Sequence, residues 1–391
     1  MTRRGHGEGT ITQRQDGRWE VRISVEGGKR KAIYGKTRRE VRQKMADALK
    51  SREQGLPIVP ERQTAGEFLE RWLADVAKQT VRPRTYVRYR QLIRAHALPE
   101  LGSRPLARLG PQDLQGLYGR KMQAGLAPRT VGHLHRLLHR ALQDAVRWGL
   151  VARNVCGVVK PPRVPREDLK VLDPEQARAF LATAAGDPLE ALYVLAISTG
   201  LRHGELLGLR WTDVDLEAGR LRVQQTLGRI AGQGFVASEP KSALSRRAIT
   251  LTPTAIAALR RHRSRQLELQ RKAGPAWEDR GLVFCNGLGR PIEQGNLLRR
   301  SFRPLLERAG MPRMRLHDLR HSTATLLLAQ GVHPKVVQEL LGHSTVNLTL
   351  DVYSHILPNL QADAARKMEC ILTGDDAPDQ ETGERDNPPS P

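Results

Sequence analysis

From Thr64 to Arg153, apolar side chains recur every three or four residues, the spacing of one buried helix face. Thr64 stands as a cap before "AGEFLERWLADVAKQT". "RTYVRYRQLIRAHALPEL", "GPQDLQGLYGRKMQAG" and "APRTVGHLHRLLHRALQDAVRWGLV" follow, which predicts a four-helix block. Its last helix places Leu134, Leu137, Leu138, Ala141, Leu142 and Ala145 on one face. Upstream the period changes to two. Trp19, Val21, Ile23 and Val25, then Ala32 and Tyr34, alternate with polar positions, and Asp16-Gly17 and Gly27-Gly28 punctuate them as hairpin turns. A small three-stranded sheet is expected there, followed by a helix from about Lys36 to Gln54.

"GLPIVPERQ" reads as a linker, and "VKPPRVPRED" (Val159 to Asp168) as a second hinge. From about Leu169 to Leu372, helical patterns surround a β-meander between about Arg220 and Leu251. "TGDDAPDQETGERDNPPSP" is acidic and lacks apolar periodicity, so a disordered tail is expected. The fold class is therefore multi-domain and mainly α. An N-terminal three-stranded β-sheet plus helix (1–60) precedes a helical domain (61–163), an α+β domain (164–372) and the tail (373–391).

Charge narrows the function. Among 391 residues, 64 Lys+Arg stand against 41 Asp+Glu, a formal net charge of +23. An excess of that size implies a polyanionic partner, with nucleic acid first and an anionic membrane second. The membrane is disfavoured because no apolar run approaches the ~20 residues of a spanning helix. The opening "MTRRGHGEGT" lacks the apolar stretch of a signal peptide. Cys156, Cys285 and Cys370 are scattered, which suits a reduced cytosol and points to neither a disulfide frame nor a zinc knuckle. Arg14, Arg18, Arg22, Lys29, Arg30 and Lys31 make the N-terminal sheet a DNA-facing ribbon, the alternative being a merely solvated basic face.

The third block carries the chemistry. "TGLRHGELLGLRW" puts Arg202 after a glycine at a helix start, with Glu205 facing the same way. Alone, that arginine reads equally as a surface charge paired to Glu205. Lys241, in "EPKSALSRRAITL", lies in a turn at a sheet edge, where a lysine is usually just solvated. In "RLHDLRHSTATLLL", His317 and Arg320 share one face of a helix's first turn, where exposed N–H groups and the dipole favour an anion. "LLGHSTVNLTLDVYSHI" supplies His343 and then Tyr353, which by its helical spacing with Leu350 and Ile356 also reads as a half-buried core tyrosine.

Two zinc readings fail on their partners. His317 and His321 have His-x-x-x-His spacing, but Asp318 stands where a glutamate base is required and Arg320 would crowd the metal. His133, His135 and His139 find no carboxylate or cysteine to complete a ligand set. Taken together, two arginines, a lysine, two histidines and a tyrosine describe phosphodiester exchange with neither metal nor cofactor. Arg202 and Arg320 would neutralise the nonbridging oxygens of a five-coordinate transition state, with His317 and His343 adding hydrogen bonds. Lys241 would protonate the departing 5′ oxygen and Tyr353 would attack phosphorus.

At these motifs the chain resembles the tyrosine recombinases, and more closely the integrases of phages and mobile elements. "TGLRHGELLGLRW", "PKSALSRRAITL", "LHDLRHSTATLLLAQG" and "LLGHSTVNLTLDVYSHI" stand in the family's order. "GEGTITQRQDGRWEVRISV" and "YGKTRREV" are similar to the family's arm-type DNA-binding ribbon, and the middle helices to its core-binding, SAM-like domain. The resemblance implies a catalytic domain of the tyrosine recombinase type. Arg202, Lys241, His317, Arg320 and His343 form its active-site set, with Tyr353 as nucleophile and Glu205 in support. His321 matches the motif as a neighbour that packs or hydrogen-bonds.

It further implies cutting and rejoining of double-stranded DNA attachment sites through a covalent 3′-phosphotyrosine, integrating or excising a mobile element. A homotetramer would act on synapsed DNA, held in a C-shaped clamp, with an excision-directing factor and a host DNA-bending protein as candidate partners. The work would be done in the cytoplasm, at the bacterial nucleoid, away from membranes. Two rivals share part of the pattern. A helix–turn–helix regulator would explain "LLLAQGVHPKVVQELLGHSTVNLTL", with Gly331 at the turn, but has no use for Arg202, Lys241 and Tyr353 together. A type IB topoisomerase would share the chemistry but needs no second DNA site for an N-terminal ribbon to bind.

Overall fold

The structure, a computed structural model, describes residues 10–24, 30–53, 63–165, 169–240, 245–343, 345 and 360–373. The Gly27-Gly28 turn, most of the 55–63 linker, the last residues of the 159–168 hinge, Lys241, Tyr353 and the acidic tail lie outside these residues. The chain divides into two compact units, Met1–Arg166 and Glu167–Pro391.

In the first unit, strands β1 (Ile11–Gln13), β2 (Trp19–Ser24) and β3 (Arg30–Gly35) form an antiparallel sheet in sequence order. Register follows the alternation: Val21 lies opposite both Ile11 and Ile33, and Trp19 opposite Gln13 and Gly35. Helix α1 (Arg38–Glu53) covers the face carrying Val21 and Ile23, and Val41 and Ala48 close that small core. Such a core is too small to drown out turn chemistry, so the Asp16–Gly17 turn matters. Asp16 Oδ1 accepts from Arg18 N at 3.1 Å and fixes the reversal.

The helical block begins where a capping box starts it. Thr64 Oγ1 accepts from Glu67 N (3.2 Å) while Glu67 Oε2 accepts from Thr64 N (2.9 Å). Helices α2 (Ala65–Trp72), α3 (Pro83–Leu92), α4 (Pro111–Gln123) and α5 (Pro128–Arg147) bury one continuous apolar cluster. All six α5 residues expected on one face are buried. Trp72 is fully buried, and its indole N–H is satisfied by Asp144 Oδ2 at 2.8 Å. His135 Nδ1 meets the Tyr118 hydroxyl at 3.1 Å. Among the described residues, no three His, Cys, Asp or Glu side chains gather to hold a metal.

The second unit is α+β. Helices α6 (Pro174–Ala184) and α7 (Glu190–Thr199) lead to the short α8 (His203–Gly208). Helix α7 is apolar nearly all round and is the buried axis of the unit. The expected meander is instead two sheets. Strands β4 (Val214–Asp215), β5 (Arg220–Arg222) and β8 (Ala248–Thr250) pair in that order, and β6 (Thr226–Ile230) with β7 (Gly234–Ser238) forms a separate hairpin. The hairpin leaves the sheet because β6 packs on α8 instead. A Cβ at Gly208 would lie 2.9 Å from Leu227 N, so the close approach requires glycine. Helices α9 (Pro253–Ala273), α10 (Asp318–Ala329), α11 (Pro334–Leu341) and α12 (Leu360–Thr373) complete the described elements used below. No described helix is long and apolar enough to cross a membrane.

Because α5 is the central apolar stripe of its block, Leu138→Ala is expected to lower the unfolding free energy by about 2–5 kcal/mol. Urea unfolding of the full chain, followed by tryptophan fluorescence, measures it.

Candidate active site

Arg202 is positioned by two helix boundaries. Helix α7 ends at Gly200, which takes a left-handed conformation (φ 60°). A Cβ there would collide with the Leu341 side chain, so glycine also lets α11 come close. Two residues on, Arg202 is the N-cap of α8, and Glu205 reaches back in capping-box fashion to accept from Arg202 N at 3.0 Å. Its other oxygen accepts from the Arg202 guanidinium at 2.7 Å. The i,i+3 pairing read from the sequence is therefore real, but its carboxylate is buried rather than superficial.

Arg320 departs from expectation in direction. The entrance of α10 is already served by the chain itself: the buried Asp318 carboxylate accepts from Arg315 N at 2.7 Å and from the Arg315 guanidinium at 2.8 and 3.0 Å. Arg320 turns away from that entrance. It donates to Gly200 O and to Leu341 O, both at 2.7 Å, bridging the C-terminal ends of α7 and α11. Helix C-termini carry partial negative charge, which favours a cation there. These two bonds engage two of the five N–H donors a guanidinium carries. Only 2% of Arg320 is exposed. Burial and the neighbouring Arg202 push it down to about 9, so it stays charged at neutral pH.

The end of α11 gathers three arginines. Leu340 O accepts from Arg247 Nε (2.6 Å), Leu341 O from Arg320 Nη2 (2.7 Å) and Gly342 O from Arg202 Nη2 (2.9 Å). Gly342 stops the helix in a left-handed turn (φ 65°), and His343 follows at once. Its backbone is clamped both ways by Gln338: His343 N donates to Gln338 O, and Gln338 Nε2 donates to His343 O, each at 3.1 Å.

The two imidazoles are neutral at pH 7. Burial, with Arg320 and Arg202 beside it, lowers His343 to about 3. Desolvation, then His321 and Arg320, lowers His317 to about 4, although the residue is exposed and solvent screens part of that effect. His321 stacks edge-on against it with ring centroids 5.0 Å apart. Burial alone would raise Glu205, but Arg247 and Arg202 outweigh it and hold the carboxyl below its ordinary range.

Thus Arg202, Glu205, Arg320 and His343 are brought together, with His317 on the adjoining turn. Lys241 and Tyr353 lie outside the described residues. Arg247 was not singled out from sequence, yet its side chain is buried and donates to Glu205 Oε2 at 3.0 Å. Its signal was parity: Arg247, Ile249 and Leu251 alternate onto the same inward face, while Arg246 points out to Glu239. The helix–turn–helix shape of α10, Gly331 and α11 exists (Gly331 φ 76°), with α10 buried through most of its length and α11 exposed at Lys335, Val336 and Glu339.

Comparison with known proteins gives the family and the fold. The profile of the Phage integrase family matches residues 170–359, and that of the phage integrase N-terminal SAM-like domain matches residues 64–122. A tyrosine recombinase XerC-like protein of Caldanaerobacter subterraneus subsp. tengcongensis is 32% identical over 383 residues, covering 92% of this chain and 98% of that protein. The Tn1549 transposon integrase, solved in complex with a circular intermediate DNA, shares the fold at a TM-score of 0.67 and 23% identity, over 78% of this chain and 99% of that one. Lambda integrase, solved as a tetramer bound to a Holliday junction, aligns at 0.54 and 18% identity, over 88% and 94%.

The depressed His343 gives a pH dependence of known sign. A histidine lowered in the folded state binds its proton more readily when unfolded. Its stabilising contribution is therefore full above its ordinary value near 6.5 and is lost as pH falls toward about 3. Unfolding free energy should drop by about 2–3 kcal/mol between pH 7 and pH 4 from this group. Denaturation across that range should show His343→Gln with the shallower slope.

Proposed function

This chain belongs to the phage integrase family, and from that premise we propose how its residues carry out the reaction. The chain is a tyrosine-type site-specific recombinase. The observation that carries the assignment of residues is the convergence of Arg202, Arg320 and His343 on the C-terminal end of α11.

Arg202 and Arg320 bind the nonbridging oxygens of the scissile phosphate, using the guanidinium N–H groups that the backbone carbonyls leave. Held in place before DNA arrives, they need little reorganisation as charge builds on phosphorus. His343 and His317, both neutral, donate further hydrogen bonds from the N–H tautomer that faces the phosphate. Tyr353 gives its phenolic proton to solvent and attacks phosphorus, forming a 3′-phosphotyrosine, while the 5′ oxygen leaves with a proton supplied by Lys241. A 5′ hydroxyl from the partner duplex then attacks the phosphotyrosine, the proton returns, and the phenol is released. Phosphodiester bonds broken and made are equal in number, so no high-energy cofactor is consumed. Tyr353 follows His343 by ten residues, at most roughly 35 Å of extended chain, so the site is within its reach.

The remaining assignments extend the same reading. Residues 1–60 serve as an arm-type DNA-binding domain, 61–163 as the core-binding domain and 164–372 as the catalytic domain, with 373–391 as an acidic tail. Double-stranded attachment sites are the substrate, at the bacterial nucleoid. Lambda integrase on a Holliday junction supports a homotetramer here. An excision-directing factor and a host DNA-bending protein would set direction.

The test is covalent capture. Wild-type protein incubated with a library of nicked duplexes of randomised core should yield an SDS-stable adduct, which mass spectrometry maps to Tyr353. Tyr353→Phe should retain DNA binding and give no adduct. An adduct from that variant, or none from wild type, would overturn the assignment.

A further inference from the structure

Arg247 lies eight residues after Glu239 and six after Lys241, at the entry to β8, and carries no role in the mechanism above. Its surroundings are nevertheless specific. The side chain is 7% exposed and its three nitrogens are all engaged: Nε with Leu340 O (2.6 Å), Nη1 with Ser245 O (3.2 Å) and Nη2 with Glu205 Oε2 (3.0 Å). One guanidinium therefore ties together three separate pieces of chain. The first is the end of α11, which presents Leu341 O and Gly342 O to Arg320 and Arg202. The second is the carboxylate that orients Arg202. The third is Ser245, two residues before Arg247 and four after Lys241 in sequence.

An aliphatic residue at this position would not tie these pieces together. An aliphatic side chain would suit its neighbours on the inward face, Ile249 and Leu251, and would avoid burying a charge. Glu205 sits between two guanidiniums, one oxygen to each. With Arg247 gone, the carboxylate keeps its bonds to the Arg202 backbone N–H and guanidinium but loses the one donor that lies outside Arg202 itself, and with it the tie to β8. The planar fork of arginine can span an oxygen of Glu205 and Leu340 O together, which the single ammonium of lysine cannot do. We propose that Arg247 is a positioning residue for the recombination reaction: through Glu205 and Leu340 O it fixes where Arg202 and the α11 end meet the phosphate, without touching DNA itself.

The proposal rests on the reading of Arg202 as a phosphate ligand, and its test separates the two. The substrate is whichever nicked duplex wild-type protein captures covalently, assayed in single turnover at saturating protein and well below the thermal midpoint of each variant. Arg247→Gln should bind that duplex as tightly as wild type, yet form the adduct about 10²-fold more slowly, as expected for a ligand displaced by an ångström or so. Arg247→Lys, which keeps the charge opposite Glu205, should recover part of the rate and guards against a variant that fails to fold. If Arg247 acts through Glu205, the double variant Glu205→Gln, Arg247→Gln should be no slower than the slower single variant, whereas independent effects would multiply. Adduct formation by folded Arg247→Gln at the wild-type rate, or multiplicative losses in the double variant, would overturn the positioning role alone. Wild-type protein that forms no adduct on any duplex would overturn the phosphate reading and this proposal with it.

Discussion

Like charges have to be held together before the anion that unites them arrives. Arg202, Arg247 and Arg320 would repel one another in an apolar interior, yet the chain places all three around one helix end. Two sources of negative charge make this stable. Three successive carbonyls at the C-terminus of α11 each accept from a different guanidinium, and the buried Glu205 carboxylate lies between two of them. Removing one partner of such a buried pair typically costs about 3–5 kcal/mol, because the other is left uncompensated. The position of the arginine cluster is a consequence of that balance.

The balance also explains why the elements around it are shaped as they are. Gly200 and Gly342 are both in left-handed turns that end helices, and each exposes carbonyls that a continuing helix would have used internally. Gly200 O and Leu341 O then become acceptors for Arg320. The apolar helix α7 and the half-apolar α11 supply the rigidity: Leu192 to Leu195 are buried below, and Val337 and Leu341 fix α11 against the core. Charge is seated on hydrocarbon throughout.

Much of this was legible in the sequence where the rule is local. The capping box at Thr64 and Glu67, the six-residue face of α5, the hairpin register around Val21 and the Arg202–Glu205 pairing all follow from spacings of two to four residues. What escaped was long in sequence. Arg320 finds its acceptors at Gly200 and Leu341, 120 and 21 residues away, and Arg202 finds Gly342 across 140. Local reasoning assigned Arg320 to the N-terminus of its own helix, where Asp318 and Arg315 in fact complete each other. The meander became two sheets because Gly208 admits β6 against α8, an effect of a missing side chain that no propensity records. Arg247 is the instructive omission: its parity with Ile249 and Leu251 was visible, but parity does not reveal acceptors 42 and 93 residues away.

The turn at Gly342 has a consequence for how such proteins can vary. Each residue of an α-helix advances the backbone by about 100°. Inserting or deleting one residue in α11 would swing all three acceptor carbonyls around the helix axis and strand the arginines at once. Loops such as the β6–β7 tip, where Gly232 and Gly234 meet nothing, can lengthen freely. Divergence among relatives should therefore be written in loop lengths, while the eight-residue count of this one helix stays invariant.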